Sequence, residues 1–242
     1  MMEAVVFALI ASLGMLVQST VGFAGSLVAV PLFALFMSPW EAVPAYCFTM
    51  LAVNIFLVCE GRRHVEWRSV RGLLLGGLPG VPIGAYALKH LPLHVIGAAI
   101  SVITLLFGIL FLAGVRVRFP VHPLTEPAIG LLSGVLGGGI SESGPPVVVY
   151  GLAREWAKDV FRSSLLAYFL CLASAAAVSY TALGMVNSHL LLLSAAGLPP
   201  ALAAAHFGVW LKQRTNERTF RLAVLATVIT VGVTGLLKYL VF

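Results

Sequence analysis

The chain carries the same interruption twice: a glycine-rich stretch followed by a proline, set inside apolar sequence, at Gly22 to Pro31 and at Gly137 to Pro146. Glycine and proline interrupt helices, and interrupted backbone inside a bilayer is tolerated only where protein buries it or water fills a cavity. Paired interruptions in corresponding positions of two halves are typical of secondary transporters, whose binding site lies between the repeats. The pattern therefore predicts an internally repeated helical membrane protein.

The composition places almost the whole chain in lipid. Hydrophobic residues make up 60% of the sequence and charged residues only 10%, so polar groups could not cover a water-soluble fold of this size. The stretches Leu73 to Leu88, Val95 to Gly114 and Ser163 to Leu183 approach the roughly 20 apolar residues that cross a bilayer. We expect an all-α polytopic membrane protein and no nucleic-acid partner, since the cations lie in short loops between apolar runs.

The apolar elements form two sets of five in the same order. We predict a first membrane repeat at 1–115, a cytoplasmic linker at 116–126 and a second, inverted membrane repeat at 127–242. Each repeat holds a broken or re-entrant hairpin and three spanning helices. The predicted elements are 3–19, 22–37, 42–59, 70–89 and 93–114, then 127–137, 143–153, 161–182, 189–211 and 219–241. At a constant spacing of 115 residues, Gly22, Ser26, Pro31 and Thr49 fall on Gly137, Ser141, Pro146 and Ser164.

The cations predict the orientation. If each hairpin re-enters or crosses twice and every other element crosses once, all fifteen Lys and Arg residues except Lys89 and Lys238 lie on one side. The cation-rich side of a membrane protein is the cytoplasmic one, which places both termini outside the cytoplasm. We expect the protein in the inner membrane. The predicted cytoplasmic cations are Arg62, Arg63, Arg68, Arg71, Arg116, Arg118, Arg154, Lys158, Arg162, Lys212, Arg214, Arg218 and Arg221.

One element presents a smooth ridge for close helix approach. Gly72, Gly76, Gly80 and Gly84 recur at every fourth residue and so lie on one face of the helix. We predict that this ridge packs within the bundle, and the alternative use is a homodimer face.

The predicted site lies at the two interruptions. Each precedes a short helix, whose unpaired N–H groups and positive dipole end would face the gap and favour an anion there. The glycines would let the backbone approach the ligand closely, or would serve only to let helices cross tightly. The predicted substrate-binding residues are Gly22, Phe23, Gly25, Ser26, Gly137, Gly138, Gly139, Ser141 and Ser143.

Glu142 is the carboxylate expected at membrane depth, and at the 115-residue spacing its counterpart in the first half is Leu27. An ionisable residue inside a membrane is a functional hypothesis by default. We interpret Glu142 either as the carrier of a coupling proton or as a filter on the anion that enters. The alternative is a first-turn acid at a helix start that a wet cavity solvates.

Other polar residues in apolar elements form a weaker set of site candidates. They could face a central pathway, although hydrogen bonds between helices are the commoner explanation for such residues. The set comprises Gln18, Thr49, Asn54, Ser164 and His206.

The sequence lacks the motifs of catalytic, metal and cofactor sites. Gly134 to Ser141 resembles a phosphate loop in its glycine spacing but has Ile140 where lysine is needed. The stretch from Gly139 to Ser143 misses the final glycine of a nucleophile elbow. We therefore expect no catalytic residue, no metal and no cofactor. A membrane enzyme using Ser141 and Glu142, or an accessory protein of another membrane complex, stays as an alternative function.

At these interruptions the chain resembles the TauE/SafE family of sulfite and organosulfonate exporters. The resemblance covers almost the whole length and rests on the glycine-rich breaks with Pro31 and Pro146, and on the turns at Leu78-Pro79-Gly80 and Leu198-Pro199. It implies export of a small sulfur-containing anion driven by an ion gradient, with a proton or a sodium ion as coupling partner. Two departures concern the substrate: Ala24 interrupts the first glycine cluster, and Glu142 stands close to the expected anion site.

Overall fold

The computed structural model describes residues 2–61, 64–114, 122–212 and 217–241, and within these ranges the chain is helical without strands. This confirms the all-α prediction. The predicted cations Arg62, Arg63, Arg116, Arg118 and Arg214 and most of the predicted linker lie outside the described residues. The helices are α1 Met2–Val21, α2 Gly25–Phe36, α3 Pro39–Gly61, α4 Trp67–His90, α5 Leu93–Leu112, α6 Thr125–Ile140, α7 Gly144–Ala153, α8 Lys158–Ala182, α9 Ser188–Lys212 and α10 Glu217–Val241.

Helix lengths divide the bundle into spanning and short elements. Within the described residues, five helices are long and apolar enough to cross a membrane: α1, α3, α5, α8 and α9. By contrast, α2 has 12 residues and α7 has 10, which at 1.5 Å per residue is about half of the hydrocarbon core. The chain is therefore a multi-pass membrane protein whose α1–α2 and α6–α7 segments form two helical hairpins.

Local sequence explains where several helices begin and end. Glycine follows α1, α5 and α8 in a left-handed conformation that side chains disfavour, with φ of +92° at Gly22, +62° at Gly114 and +67° at Gly184. At the start of α4, the Glu66 carboxylate accepts a hydrogen bond from the amide of Arg68 at 3.2 Å.

Glycine ridges join α4 to α6. A Cβ added at Gly76 would meet the backbone of Pro127 and Leu131, and one at Gly84 would meet Val135, so the two helices run parallel. A second ridge on α6, formed by Gly130, Gly134 and Gly138, lies against the backbone of α4. The predicted packing of the α4 glycines within the bundle is confirmed.

Two further helix pairs share this close packing. Gly197 of α9 lies against Phe7 and Gly208 lies against Ser19, so α1 and α9 also run parallel. Helices α5 and α10 run antiparallel, because Gly97 meets the ring of Tyr239 while Gly108 meets Val228. Between these pairs, α3 contacts α8, where the Cys47 thiol donates to the Ala173 carbonyl at 3.6 Å.

The two cations predicted on the cation-poor side both bind helix ends. Lys238 Nζ donates to the carbonyls of Ala34 and Leu35 at 3.0 Å each, in the last turn of α2. Lys89 Nζ donates to the carbonyl of Leu183, just after α8, at 2.6 Å. Cations stabilise the negative end of a helix, which accounts for their place at this end of the bundle.

The second interruption lies later in the chain than predicted. Gly137, Gly138 and Gly139 are helical residues of α6, and the non-helical segment is Ser141–Ser143. The reason is tertiary: Gly138 belongs to the α6 ridge, where a Cβ would meet the carbonyl of Val81. The breaks Gly22–Ala24 and Ser141–Ser143 are therefore related by a spacing of 119 residues, not 115, which pairs Glu142 with Phe23 rather than with Leu27.

Candidate functional site

The first break is a three-residue turn with two left-handed residues. Gly22 has φ of +92° and Ala24 has φ of +70°, which reverses the chain between α1 and α2. Phe23 projects between them and makes edge-to-face contacts with Phe111 and Phe161, with centroids 5.6 Å and 6.0 Å away. The predicted break at Gly22 to Gly25 is confirmed, with Gly25 already the first residue of α2.

Hydrogen bonds from its own backbone close the second break. Ser141 is left-handed with φ of +55°, and its amide donates to the Gly137 carbonyl at 3.0 Å. The Glu142 amide donates to the Leu136 carbonyl at 3.3 Å, which completes the end of α6. Helix α7 then starts with Gly144, Pro145 and Pro146, where proline is tolerated because these amides have no partner inside the helix.

One cavity lies between the two breaks. It has room for about one water molecule and is lined by the first turns of α2 and α7, with α1, α3 and α8 completing its wall. Ser26, Ser143, Glu142 and Gln18 supply its polar side chains. The remaining lining residues are Ala24, Leu27, Met50, Gly144, Pro145 and Phe169.

Glu142 is fully buried at this cavity. One carboxylate oxygen, Oε1, accepts a hydrogen bond from the Thr104 hydroxyl of α5 at 2.9 Å. The other oxygen, Oε2, has no hydrogen-bond partner among the described residues. Because a buried polar atom without a partner is costly, this oxygen is a place where a proton, an ion or a ligand group would be stabilised.

Gln18 and Asn54 form a buried amide pair on the α1 side of the cavity. The Gln18 side-chain amide donates to Asn54 Oδ1 at 2.7 Å, and both residues are buried. Asn54 Nδ2 has no partner among the described residues. Of the weaker candidates, Gln18 lines the cavity directly, and Asn54 lies behind it.

The two helix starts differ in the donors that they offer to the cavity. In α2 the first amide bond of the helix runs from Val28 to Ala24, so the amides of Gly25, Ser26 and Leu27 precede the helical ladder. In α7, Pro145 and Pro146 have no amide hydrogen, which leaves Gly144 as the donor of the first three residues. The stronger anion-directed helix start therefore belongs to α2.

Arg162 is a buried cation beside the first break that sequence reasoning placed at a cytoplasmic edge. It is 7% exposed, its guanidinium donates to the Ser19 carbonyl at 3.2 Å, and a Cβ at Gly22 would lie 2.9 Å from its Cγ. Gly22 is thus required both for the turn and for the approach of Arg162. The sequence signal for its burial was its position, one helical turn after Lys158, the first residue of α8.

Several predicted site residues lie away from the cavity. The Thr49 hydroxyl of α3 lies 3.5 Å from the Ser194 carbonyl of α9, and the Ser164 hydroxyl of α8 accepts from the Glu66 amide at 2.8 Å, so both join separate parts of the chain. His206 is exposed on α9 beside Phe56. Ser141 is buried behind the break, with its hydroxyl 3.5 Å from the Val43 carbonyl. These four residues make packing contacts and are not among the residues that line the cavity.

The arrangement is suited to binding and proton exchange. A hydroxyl from each hairpin and the α2 amides can donate hydrogen bonds, and Glu142 can hold a proton. Within the described residues, no group of three or more His, Cys, Asp and Glu residues is placed to hold a metal ion.

Comparison with known proteins places these features in a family. Residues 6–235 match the family model described as "Sulfite exporter TauE/SafE". A curated protein of Cupriavidus necator named "Probable sulfite/organosulfonate exporter TauE" is 24% identical over 226 residues, which cover 89% of this chain and 86% of that protein. No solved structure matches the chain.

Proposed function

The chain belongs to the sulfite exporter TauE/SafE family, and from this premise we propose that it exports a small sulfur-containing anion, such as sulfite or an organosulfonate, by alternating access. The observation that carries the proposal is a cavity that the first turns of both short helices line together. In this mechanism the cavity opens in turn to each side of the membrane as the two halves rock against each other.

The proposed halves are inverted repeats, and the packing supports this. In the proposed repeat, α4 corresponds to α9 and α6 corresponds to α1. The pair α4–α6 therefore corresponds to the pair α9–α1, and both pairs run parallel. The same exchange turns α5 into α10, and these two helices contact each other antiparallel. A two-fold axis that relates two antiparallel helices is perpendicular to both. If α5 and α10 cross the membrane, the proposed axis lies in the membrane plane and inverts one half relative to the other.

The proposed orientation places the starts of α4 and α8 in the cytoplasm and the chain termini outside. Arg68, Arg71 and Lys158 lie at those starts, and the cation-rich side faces the cytoplasm. The cations at the other end, Lys89 and Lys238, bind helix carbonyls, so they do not weigh against this orientation.

We propose that the anion binds between the hydroxyls of Ser26 and Ser143, with the first amides of α2 completing its shell. Oxyanions accept several hydrogen bonds, and a helix start supplies them together with a favourable dipole. Gly22 and Phe23 would shape the turn, and Gly25 would let α2 begin close to α1. Gly137, Gly138 and Gly139 would act indirectly, by holding α6 against α4 and Ser143.

Glu142 is the proposed coupling residue. Its Oε2 is buried without a partner among the described residues, and it faces the cavity in which the anion would bind. Protonation removes a negative charge from the cavity, so a protonated Glu142 tolerates the anion better than an ionised one. Proton binding and anion binding would then favour each other, so the two would cross the membrane in the same direction.

The test is transport of radiolabelled sulfite and methanesulfonate into proteoliposomes that contain the purified protein. The wild type should exchange the label, and Ser26→Phe should abolish exchange by filling the cavity. Ser174→Phe is the matched control, since Ser174 is exposed on α8 with its hydroxyl bonded to its own helix, and it should transport normally. Absence of exchange for both anions in the folded wild type would overturn the proposal, as would normal exchange by Ser26→Phe.

A further inference from the structure

A buried cation that the proposed mechanism does not use lies against the first break. The Arg162 side chain is 7% exposed, and Gly22 admits it, since a Cβ there would lie 2.9 Å from Arg162 Cγ. The residue before it, Phe161, meets Phe23 edge to face, so one turn of α8 contacts two residues of the break. A charge inside a membrane domain is costly to bury and marks a functional position.

Arg162 caps the end of α1. The last hydrogen bond of the α1 ladder runs from the Gly22 amide to the Gln18 carbonyl at 2.7 Å. The next carbonyl is that of Ser19, and Arg162 Nη2 donates to it at 3.2 Å. The final carbonyls of a helix have no partner inside the helix and form its negative dipole end. The guanidinium therefore binds the end of α1 that bears partial negative charge.

This cap changes the field at the first break, where two helix ends of opposite sign meet. The end of α1 and the start of α2 are equivalent to about half a negative and half a positive elementary charge, so their effects on an ion at the turn oppose each other. The full positive charge of Arg162 outweighs the α1 end. The cavity begins at Ala24 of the same turn, so an anion there would be attracted by both Arg162 and the start of α2.

The second break closes its preceding helix in another way. The amides of Ser141 and Glu142 donate to the carbonyls of Gly137 and Leu136 at 3.0 Å and 3.3 Å, so backbone bonds complete the end of α6. These bonds bring no charge to the break. The ionisable side chain in the second break is the carboxylate of Glu142, which is opposite in sign to Arg162.

The position that corresponds to Arg162 in the first half is apolar. The 119-residue spacing of the breaks also relates the first residues of α3 and α8. At this spacing Arg162 corresponds to Val43, which is 1% exposed and whose carbonyl lies 3.5 Å from the Ser141 hydroxyl. In the proposed repeat, Arg162 beside Gly22 and Val43 beside Ser141 are thus corresponding contacts. They differ in charge.

We propose that Arg162 is a specificity-determining residue, whose charge at the end of α1 makes the first break favour an anion. It acts through the field at the break and through the α1 end, without a requirement to touch the anion. This inference rests on the proposed function and deepens it, because it names the charge that sets the preference of the same site.

Three variants separate the charge from packing. Arg162→Gln removes the charge and should raise the half-saturating methanesulfonate concentration for exchange in proteoliposomes by about tenfold or more, because a charge acts strongly in a site of low dielectric constant. Arg162→Lys keeps the charge and should stay within about threefold of the wild type. Lys158→Gln is the matched control, since it removes a charge from the exposed first residue of α8, and it should leave the value unchanged.

The kinetic pattern distinguishes a charge from a structural cap. If the charge favours anion binding, the maximal exchange rate of Arg162→Gln should fall by a smaller factor than its half-saturating concentration rises. A cap that only held α1 in place would lower the maximal rate and the unfolding temperature while leaving the half-saturating concentration unchanged. Thermal unfolding of each purified variant accompanies the transport assay, and Arg162→Lys carries the test should Arg162→Gln fail to fold.

The outcomes separate this inference from the proposed function. A wild-type half-saturating concentration in folded Arg162→Gln would overturn the inference while leaving anion transport intact. A more than tenfold rise in folded Arg162→Lys, which retains the charge, would also overturn it. Should the wild type exchange neither sulfite nor methanesulfonate, the proposed function itself fails.

Discussion

The two hairpins have the same architecture but different chemistry. The first turns at Gly22–Ala24, contains no ionisable side chain in its break, and begins α2 with three amides ahead of the helical ladder. The second turns at Ser141–Ser143, carries Glu142 in its break, and begins α7 with two prolines that have no amide hydrogen. We therefore propose that the first hairpin mainly binds the anion and that the second carries the proton.

In the proposed mechanism, this difference would divide one task between the two hairpins. Both breaks face one cavity, so an anion held mainly by α2 and a proton held by Glu142 would act on the same space. The similar architecture of the hairpins would set the geometry of the proposed site, while the residues at each break would decide its chemistry. The predictions below compare features of the first hairpin with features of the second hairpin or of α8.

The largest effect is expected at the pair Glu142 and Phe23, which the 119-residue spacing makes equivalent. Glu142→Gln keeps an acceptor for the Thr104 hydroxyl but removes the acidic proton. We expect exchange of the anion to continue, while transport driven by a pH gradient is lost. Phe23→Leu should retain gradient-driven transport, and an unchanged pH dependence in Glu142→Gln would assign coupling to another group.

The second comparison concerns Gly25 and Gly144, the first residues of α2 and α7. A Cβ at Gly25 would lie 2.6 Å from the Gly14 carbonyl oxygen and 2.7 Å from Gln18, whereas one at Gly144 would lie 3.5 Å from Phe169. We expect Gly25→Ala to lower the free energy of unfolding by about 1–3 kcal/mol through overpacking. Gly144→Ala should stay within about 0.5 kcal/mol. Thermal unfolding of the purified variants measures both, and equal losses would contradict the packing difference.

The third comparison tests whether both hairpins bind the anion. Ser26→Ala and Ser143→Ala each remove one hydroxyl from the cavity, and a hydrogen bond contributes about 0.5–1.5 kcal/mol. Each variant should raise the half-saturating sulfite concentration by about two- to tenfold. Ser179→Ala, whose hydroxyl bonds the Ala175 carbonyl of its own helix, serves as the control. A shift in only one of the two cavity variants would restrict binding to that hairpin.

The smallest effect is expected at the outer end of the first hairpin. Lys238→Met removes the ammonium group from the last carbonyls of α2, at a cost of about 0.3–1 kcal/mol in stability. Lys89→Met removes the corresponding cap of α8 and should cost a similar amount. Because α2 forms the cavity and the end of α8 does not, only Lys238→Met should also slow exchange, measured in the same proteoliposomes.

Much of the fold followed from local sequence. The apolar runs predicted ten helices, and their bounds lie within four residues of the observed ones wherever both ends are described. The break at Gly22 was predictable because a left-handed residue requires glycine there, and the ridge from Gly72 to Gly84 was predictable from its period. Ser26, Ser143, Glu142 and Gln18 were predicted site residues that do line the cavity.

The sequence could not tell a glycine that turns the chain from a glycine that admits a neighbour. Gly137 to Gly139 resembled a break, yet α4 presses against Gly138 and keeps α6 helical to Ile140. The turn was left to Ser141, which adopts a left-handed conformation without being glycine. The observed break begins four residues after the predicted one. Four residues are about one helical turn, so both positions lie on the same face of α6.

By itself, the sequence determined that this chain is a helical, multi-pass membrane protein with two interruptions, because hydropathy and helix breaking act over neighbouring residues. Only the tertiary structure decided that Thr104 meets Glu142 and that Arg162 lies against Gly22. These contacts join residues far apart in the chain, and their energies arise from packing that no local pattern encodes.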